Sequence, residues 1–277
     1  MEFLSLGGGV QSTVAALMSR ENIEMPGKYP FIPIYDAIIF CDLGLEAPWV
    51  YEQVRFVMEK CSAVGIPVII LRTDLYDDFM ERFGKRRVVA IPFWSIGKNG
   101  KKAKMKRSCT LDYKVMVINQ FIRWSILGYR RGLKSRPWDF GEHRMHIGFS
   151  AEEQARIFDS YNPFYKNKFP LWRMGVQRKD NYAYLLERWG LDAKGSACAF
   201  CPFHQNYYFW HIRENFKKLW RRLLMFDEIL EREQPNTPID SQLFISKSRK
   251  RLVMLNEEDC KDRKCFLYKG RKVWDGF

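Results

Sequence analysis

The feature of this 277-residue chain that most constrains its fold is a triglycine close to the N-terminus. Residues 4–18 read LSLGGGVQSTVAALM, so a short apolar run ends at Gly7–Gly9 and a segment of helix-forming residues follows. This order predicts a strand, a tight turn and a helix N-terminus, where glycines let the backbone approach a ligand and unbonded N–H groups favour phosphate. Ser12 or Thr13 would cap the helix or bind a phosphate oxygen. An ordinary strand–helix turn has the same pattern, so the triglycine alone leaves both interpretations open.

The rest of the sequence places this turn in an α/β fold. Strand-like apolar runs alternate with amphipathic segments, which predicts a parallel sheet with helices on both faces. Ligands of such sheets bind beyond the carboxyl ends of the strands, so the triglycine and the end of the second strand (Cys41, Asp42) should share one edge. The expected strands are Glu2–Leu6, Asp36–Cys41, Pro67–Leu71 and Met145–Phe149. The expected helices are Ser12–Arg20, Pro48–Val64, Leu75–Phe83, Asp112–Leu127, Ala151–Phe158 and, in the last third, roughly Tyr207–Glu233.

One long segment has neither helical nor strand periodicity. Residues 84–107 contain Pro92, Gly97 and Gly100, and the stretch from Lys85 to Arg107 has nine Lys or Arg and no acidic residue. Long connections of this kind are usually functional or disordered, so we interpret residues 84–108 as a basic substrate loop that orders on binding. We divide the chain into an α/β domain at residues 1–160 and a mostly helical, cysteine-bearing region at residues 161–277 packed on it.

The charge of the chain indicates a polyanionic partner. The formal net charge is +14, and the cations are clustered rather than spread evenly. Clustered Lys and Arg with aromatic residues between them suit nucleic acid, although a solubilising face would also explain them. No apolar run approaches the roughly 20 residues that span a bilayer, and no signal peptide precedes the first strand. We therefore expect a soluble cytoplasmic protein with no membrane contact.

Five of the seven cysteines lie in polar or turn-like contexts and need an explanation. Cys198 and Cys201 are two residues apart and precede a proline, a spacing that lets two thiolates bind one metal centre. Cys109 with Cys265 or Cys260 would complete either a zinc site or an iron–sulfur cluster. Unligated core thiols are the remaining interpretation. Disulfides are not expected in a cytoplasmic chain.

Six segments, in collinear order over about residues 1–265, carry a further pattern. They are Gly7–Ser12, Phe40–Glu46, Arg107–Thr110 with Lys114, Ile147–Glu153 with Arg156, Phe169–Leu171 with Gly175–Val176, and Ser196–His204. Together they resemble the N-type ATP pyrophosphatases, or PP-loop proteins, in the branch of phosphoadenosine phosphosulfate (PAPS) reductase and the ATP pyrophosphatases of DNA phosphorothioation. Each segment alone is a weak signal, and their common order makes the resemblance specific.

The resemblance implies an adenine nucleotide alpha-hydrolase-like fold and cleavage of ATP, with Mg²⁺, between the α and β phosphates. The implied nucleotide-binding residues are Gly7, Gly8, Gly9, Ser12, Thr13, Asp42 and Arg156, and the implied catalytic residues are Gln11, Ser12, Asp42 and Lys114. The cysteine turn implies a [4Fe–4S] cluster, with zinc as the alternative metal, held by Cys109, Cys198, Cys201 and Cys265. Glu152 and Glu153 are interpreted mainly as N-terminal helix charges.

Two departures from the family pattern bear on activity. Gly7 stands where the family usually has Ser, and Gln11 stands where it usually has Asp, so the loop lacks an acid that would organise a cation. The short cysteine-bearing tail of PAPS reductases is absent.

Three functions follow as expectations. The first is an ATP pyrophosphatase that adenylates tRNA or DNA for sulfur insertion, with a sulfur-donor or reductant protein as a further partner and a homodimer as a possible assembly. The second is a PAPS reductase-like enzyme that acts on a small sulfonucleotide. The third is a catalytically impaired nucleic-acid-binding protein of the same fold, which the glutamine at position 11 favours.

Overall fold

The computed structural model describes residues 1–85, 91–130, 137–160, 162–261 and 265–274. The chain forms two compact units that interleave along the sequence. The sheet unit comprises Met1–Asp42, Pro48–Arg72 and Val115–Ser196, and the cysteine unit comprises Leu43–Ala47, Thr73–Lys114 and Ala197–Phe277. Neither unit ends at residue 160, where we expected the domain boundary.

The described ranges contain ten strands and eight α-helices. The strands are β1 (Glu2–Leu6), β2 (Ala37–Asp42), β3 (Val68–Arg72), β4 (Trp94–Ile96), β5 (Lys102–Lys104), β6 (Arg144–Ile147), β7 (Lys166–Lys168), β8 (Gln242–Phe244), β9 (Cys265–Tyr268) and β10 (Arg271–Trp274). The helices are α1 (Val10–Glu24), α2 (Pro48–Ser62), α3 (Leu75–Arg82), α4 (Met116–Phe121), α5 (Pro170–Arg173), α6 (Arg178–Trp189), α7 (Asn206–Asn215) and α8 (Lys217–Glu233).

The sheet unit is built on five parallel strands in the order β3-β2-β1-β6-β7. From β1 the chain continues to β2 and β3 on one side, and it later returns to place β6 and β7 on the other side. The order of the strands therefore reverses between β1 and β6. In open parallel sheets this switch point is the usual ligand site.

Helical segments cover both faces of this sheet. One face forms a single hydrophobic cluster: Phe3, Ala37, Ile39, Cys41, Ile118, Ile122, Met145, Phe164 and Tyr165. Successive side chains of a strand point to opposite faces, so Ile38 and Phe40, which are also buried, face the other way. There Phe40 lies near Val50 and Val54 of α2. The α/β class predicted from the alternation of apolar and amphipathic segments is confirmed.

The cysteine unit combines a three-stranded antiparallel sheet of order β5-β4-β8, the hairpin β9–β10, and helices α3, α7 and α8. Its centre is aromatic. Phe226 of α8 stacks on Phe79 of α3 with 4.0 Å between ring centroids and on Phe200 with 4.8 Å. Phe93, which precedes β4, lies 5.8 Å from Phe79 in the same cluster. Large rings from four separate segments thus bring these segments together.

The expected positions of β1, β2 and β3 are confirmed to within one residue, and β6 begins one residue early. Residues 84–107 differ from the expected irregular loop, because they contain β4 and β5. The part of that segment at residues 86–90 lies outside the described residues.

Three expected helices also differ. The helix expected at 207–233 is broken at Phe216, whose φ of −133° and ψ of 66° are not helical. The helix expected at 112–127 is a run of π-helix (Leu111–Val115), α4 and a second π-helix (Ile122–Ile126). The segment expected at 151–158 is a 3₁₀-helix over Ala151–Arg156.

Candidate nucleotide site and cysteine pair

The triglycine connects the end of β1 to the start of α1. Gly8 has a φ of +70°, a conformation that glycine adopts without strain. The Ser12 hydroxyl closes the turn, since it accepts a hydrogen bond from the Gly7 N–H at 3.0 Å and donates one to the Gly9 carbonyl at 3.4 Å. The first turn of α1 has no acidic residue. The helix N-terminus therefore presents its positive dipole end with no nearby carboxylate of its own turn.

The loop after β6 touches this turn directly. A Cβ placed on Gly148 would lie 2.8 Å from the Ser12 nitrogen and 2.9 Å from the Gln11 carbonyl carbon, so only glycine fits there without a shift of the backbone. Gly148 follows β6 immediately. The loop after β6 and the first turn of α1 are therefore in close backbone contact at the switch point.

A third segment of the sheet unit, Lys194–Ser196, lies against the triglycine. The buried side chain of Gln53 donates hydrogen bonds to the carbonyl oxygens of Gly8 and Lys194, the latter at 3.0 Å. Its amide oxygen accepts the Lys194 N–H. A Cβ on Gly9 would lie 2.8 Å from Ser196 Oγ. Gln53 thus holds both segments in place from within α2.

Gln11, at the mouth of the loop, pairs with a carboxylate. Its Nε2 donates to Glu153 Oε2 at 3.3 Å, although the two residues are 142 positions apart. The same carboxylate accepts the Ser150 N–H at 3.2 Å, the Ser150 hydroxyl at 3.3 Å and the Arg156 guanidinium. Glu153 is therefore an N-terminal helix charge, as expected, and it also supplies a negative charge beside position 11.

The other nucleotide-binding residues predicted in this unit have different degrees of exposure. Asp42 ends β2 at the same sheet edge as the triglycine, as expected, and its buried carboxylate accepts the Tyr51 hydroxyl at 3.1 Å. Thr13 is fully buried, so its hydroxyl points into the protein. Arg156 is exposed and lies over the Phe149 ring at 4.1 Å while it pairs with Glu153.

Lys114 lies in the cysteine unit and forms an ion pair there. Its Nζ is 3.0 Å from Oε1 of Glu46, whose side chain is fully buried. Glu46 belongs to a short extended segment that bridges to Cys198, and the Ala199 N–H donates to the Leu45 carbonyl at 2.8 Å. This pairing places the Glu46 carboxylate and the Lys114 ammonium beside the cysteine turn. The expected contact of Lys114 with phosphate stays a prediction.

The cysteine turn brings two thiols together. The Cys201 N–H donates to the Cys198 carbonyl at 3.0 Å, and the two thiols hydrogen-bond each other. Donation of this bond by Cys198 raises its pKa, and acceptance lowers the pKa of Cys201. His204 follows the cysteine turn and is buried, and this burial lowers its pKa to about 3. A neutral imidazole can donate from Nε2 to the Cys198 carbonyl, which lies 3.0 Å away.

The four predicted metal ligands are not assembled into one site in the described residues. Cys109 is buried and near enough to Cys201 for the two to interact electrostatically, and burial raises the pKa of its thiol. Cys265 is exposed on β9. Cys260 is buried, with its sulfur 3.6 Å from the Asn206 carbonyl. Across these ranges no three His, Cys, Asp or Glu side chains are grouped so that they could hold one metal ion.

Three residues of this site were not predicted: Gln53, Glu153 as a partner of Gln11, and Ser196. Gln53 and Lys194 are 141 positions apart, so no local pattern links them. The available signal was the polar Gln53 within an otherwise apolar helix face.

Comparisons with known proteins add no identification. No protein-family model matches the chain, and no curated protein is significantly similar to it in sequence. Among the described helices, none has the length and apolar character needed to cross a membrane.

Proposed function

We propose that this protein is an ATP pyrophosphatase that adenylates a substrate, most simply a tRNA or DNA, for sulfur insertion. The observation that carries the proposal is the close approach of Gly148 to the backbone of Gln11 and Ser12, in the first turn of the helix that follows the triglycine, at the switch point of a parallel sheet. A switch point bordered by glycine backbone and by a helix N-terminus whose own first turn has no acidic residue suits a pyrophosphate group. The collinear resemblance to PP-loop proteins supports the same chemistry.

In the proposed reaction an oxygen of the substrate attacks the α-phosphorus of ATP bound with Mg²⁺. The bond between that phosphorus and the α,β-bridging oxygen breaks, and pyrophosphate leaves with the electron pair. The loop N–H groups and the α1 dipole would stabilise the charge that develops on pyrophosphate. A sulfur nucleophile would then displace AMP from the adenylated substrate.

Glu153 bears on the choice between an active and an impaired enzyme. The family places an acid at the position of Gln11, and here the nearest carboxylate to that side chain comes from Glu153. We propose that Glu153 takes the part of that acid in orienting the nucleotide-bound cation. This compensation favours the active enzyme over a binding protein that has lost catalysis.

Among the described residues only the Cys198 and Cys201 thiols are in hydrogen-bond contact, so the four-cysteine cluster stays a prediction. We therefore derive no step through a [4Fe–4S] group or a zinc ion. We propose that Cys198, Cys201 and the neighbouring Cys109 are the residues that would bind a metal.

The proposal is tested with two alanine variants of the same turn. ATP labelled at the α-phosphate is incubated with tRNA, DNA or PAPS, and AMP and pyrophosphate are measured. Gly9→Ala should reduce AMP formation by at least about tenfold, since its Cβ would lie 2.8 Å from Ser196 Oγ and 3.0 Å from the Ser196 nitrogen.

Gly7→Ala is the matched control. Its Cβ would meet Ser196 and Ser12 at 3.5 and 3.6 Å, ordinary contact distances, so near-normal activity is expected. If no nucleic acid stimulates AMP formation, the proposed function is wrong. Sulfite release from PAPS with a thiol reductant would support the small-sulfonucleotide alternative instead.

A further inference from the structure

A row of alternating cations and aromatic rings crosses the surface of the cysteine unit. Its members are, in order, Arg249, Trp94, Lys104, Phe203 and Arg107, which we call the cation row. They come from the turn after β8, from β4, from β5, from the cysteine turn and from the segment before Cys109. No local sequence pattern links these residues.

The rings hold the cations in position. Arg249 and Lys104 lie 5.2 and 5.5 Å from the Trp94 ring centroid, and Lys104 and Arg107 lie 4.4 and 5.4 Å from that of Phe203. Cation–π attraction acts over such distances. The Trp94 indole N–H donates to the Pro202 carbonyl at 2.7 Å, which connects β4 to the turn that carries Phe203. The charges are therefore arranged in advance of binding.

Arg249 is placed at the cost of backbone strain. Its φ of +58° is in the left-handed region, which is strained for a residue other than glycine. The guanidinium donates to the carbonyl oxygens of Ser95 at 3.1 Å, Ala103 at 3.2 Å and Lys247 at 3.3 Å. These bonds use neutral acceptors, so the positive charge of Arg249 is not neutralised by them.

The two chain segments that carry most of the row are basic, and the carboxylates near them pair with other cations, namely Lys98, Lys250 and Arg251. Residues 91–111 and 241–255 contain no Asp or Glu. Lys101, Lys102, Lys104, Lys106 and Arg107 are exposed. Within the described residues none of these five, nor Arg249, forms an ion pair with a carboxylate. Uncompensated cations held in a row create a local positive potential that attracts a chain of negative charges.

We propose that the cation row and the exposed lysines of β5 bind the sugar–phosphate backbone of a nucleic acid. The backbone is favoured over the bases because both rings of the row already face cations, which leaves the rings poorly placed for base stacking. Phosphate contacts of this kind confer affinity and register without reading sequence. The inference shares only the nucleic-acid partner with the proposed function and does not depend on ATP cleavage.

The test compares two double variants of the full chain that each remove two positive charges. Lys102→Gln/Lys104→Gln changes β5, and Lys217→Gln/Lys218→Gln changes an exposed cationic pair at the start of α8. Binding is followed without ATP by the fluorescence anisotropy of a labelled DNA strand of about 20 nucleotides, its RNA equivalent and the DNA duplex. Each titration is repeated between about 50 and 200 mM salt.

The β5 variant should bind its preferred nucleic acid at least about tenfold more weakly than the parent chain. Its salt dependence should also become shallower in the log–log slope by about 1.4 on a single strand, or by about 1.8 on the duplex, the values for the loss of two phosphate contacts. The α8 variant should remain within about threefold of the parent chain. The proposal is supported if, for any one of the three nucleic acids, the β5 variant binds more weakly and the α8 variant does not.

Three results would overturn it. Equal losses in both variants would mean that net charge alone drives binding. An unaffected β5 variant that self-associates more readily would mean that these lysines only protect an edge strand. Binding to vesicles containing anionic lipid, with none to nucleic acid, would assign the surface to a membrane. None of these outcomes depends on AMP formation. The proposed enzyme activity can therefore be wrong while the cation row binds nucleic acid, and the cation row can fail to bind nucleic acid while the enzyme activity is confirmed.

Discussion

The side chain at position 11 is an amide, and its partner is the carboxylate of Glu153, in the 3₁₀-helix Ala151–Arg156 that follows β6. The 3.3 Å contact between Gln11 Nε2 and Glu153 Oε2 is favourable because one group donates and the other accepts. Two carboxylates at that separation would repel each other, and one would be driven to hold a proton. The acid and the amide are therefore interdependent, and the family residue cannot simply be restored at position 11.

This interdependence predicts the outcome of a double-mutant cycle. Gln11→Asp should lower AMP formation by about tenfold or more, although it introduces the residue that the family pattern carries. Gln11→Asp/Glu153→Gln should return activity to within about threefold of the parent chain, because it exchanges the two groups and keeps one negative charge. The rate of AMP formation under saturating ATP measures both. If the single Gln11→Asp variant were more active than the parent chain, Glu153 would not replace the family acid in orienting the cation.

The cysteines are also distinguished residue by residue. Cys198 and Cys201 are in contact, whereas Cys265 is exposed on β9. We expect metal in anaerobically purified protein to be lost in Cys198→Ser and Cys201→Ser and retained in Cys265→Ser. Iron, zinc and acid-labile sulfide per chain are the measurements. Loss in Cys265→Ser as well would indicate the four-cysteine set predicted from sequence, and a parent chain without metal would contradict the metal site itself.

At the scale of elements, a buried carboxylate joins α1 to α6. Glu21 is fully buried, and its oxygens accept hydrogen bonds from Arg188 at 2.9 Å, Lys28 at 2.6 Å and Tyr29 at 2.8 Å. Burial alone would raise its pKa, but the three hydrogen bonds outweigh burial and lower the pKa to about 2. The helix that begins at the triglycine is thus held at its other end by an ion-pair cluster.

This cluster gives the stability of the protein a defined dependence on pH. The pKa of Glu21 is lower in the folded protein than the value of 4.5 expected when unfolded, so the stabilisation is complete above that value and is lost as the pH falls towards 2. Glu21→Gln should cost on the order of 3 kcal/mol in the free energy of unfolding near neutral pH. Denaturant unfolding between neutral and acidic pH measures the difference.

The control is Glu24→Gln, which removes a half-exposed carboxylate of the same helix that pairs with Arg20. Because exposed pairs contribute little, a change below about 1 kcal/mol is expected there. A loss of stability in Glu21→Gln that stays constant through the acidic range would contradict the assignment to ionised Glu21.

The elements differ in how far sequence predicts them. β1, β2 and β3 were predictable because each is an apolar run bounded by polar residues or glycine. The strand β5 reads Lys-Ala-Lys and has no apolar face, so the sequence did not predict that it pairs with β4. The break between α7 and α8 at Phe216 has no proline or glycine to mark it. In these places contacts with distant residues decide the structure, and local preference does not.

The same distinction applies to the site. The shared edge of the glycines, Ser12 and Asp42 was predictable from sequence, because each follows or ends a parallel strand and such strands end at the same edge of the sheet. Glu153 and Ser196 reach the loop through contacts that depend on the finished sheet, and nothing near them in sequence predicts those contacts.

At the scale of the whole molecule, the sheet unit is assembled from three separated stretches of the chain and is completed only at Ser196. After residue 160 come β7, which pairs with β6, and α6, which carries the Arg188 partner of Glu21. Lys194, which Gln53 bonds to the triglycine turn, comes later still. The buried side chains Leu171, Tyr182 and Leu185 are also supplied by this last stretch. The core and the candidate site thus both depend on residues beyond the expected boundary.

We therefore predict that a fragment of residues 1–160 does not fold cooperatively, because it lacks β7, α6 and the residues that bury one side of α1. Its thermal transition, followed by far-UV circular dichroism, should be broad or missing. A fragment of residues 1–196 contains the whole sheet unit and is the control, for which a sharper transition is expected. Burial of Leu171, Tyr182 and Leu185 contributes about 2 kcal/mol each, so the roughly 6 kcal/mol lost with them is comparable with the whole stability of a marginally stable domain. A cooperative transition in the 1–160 fragment equal to that of the 1–196 fragment would show instead that the first 160 residues hold a complete core.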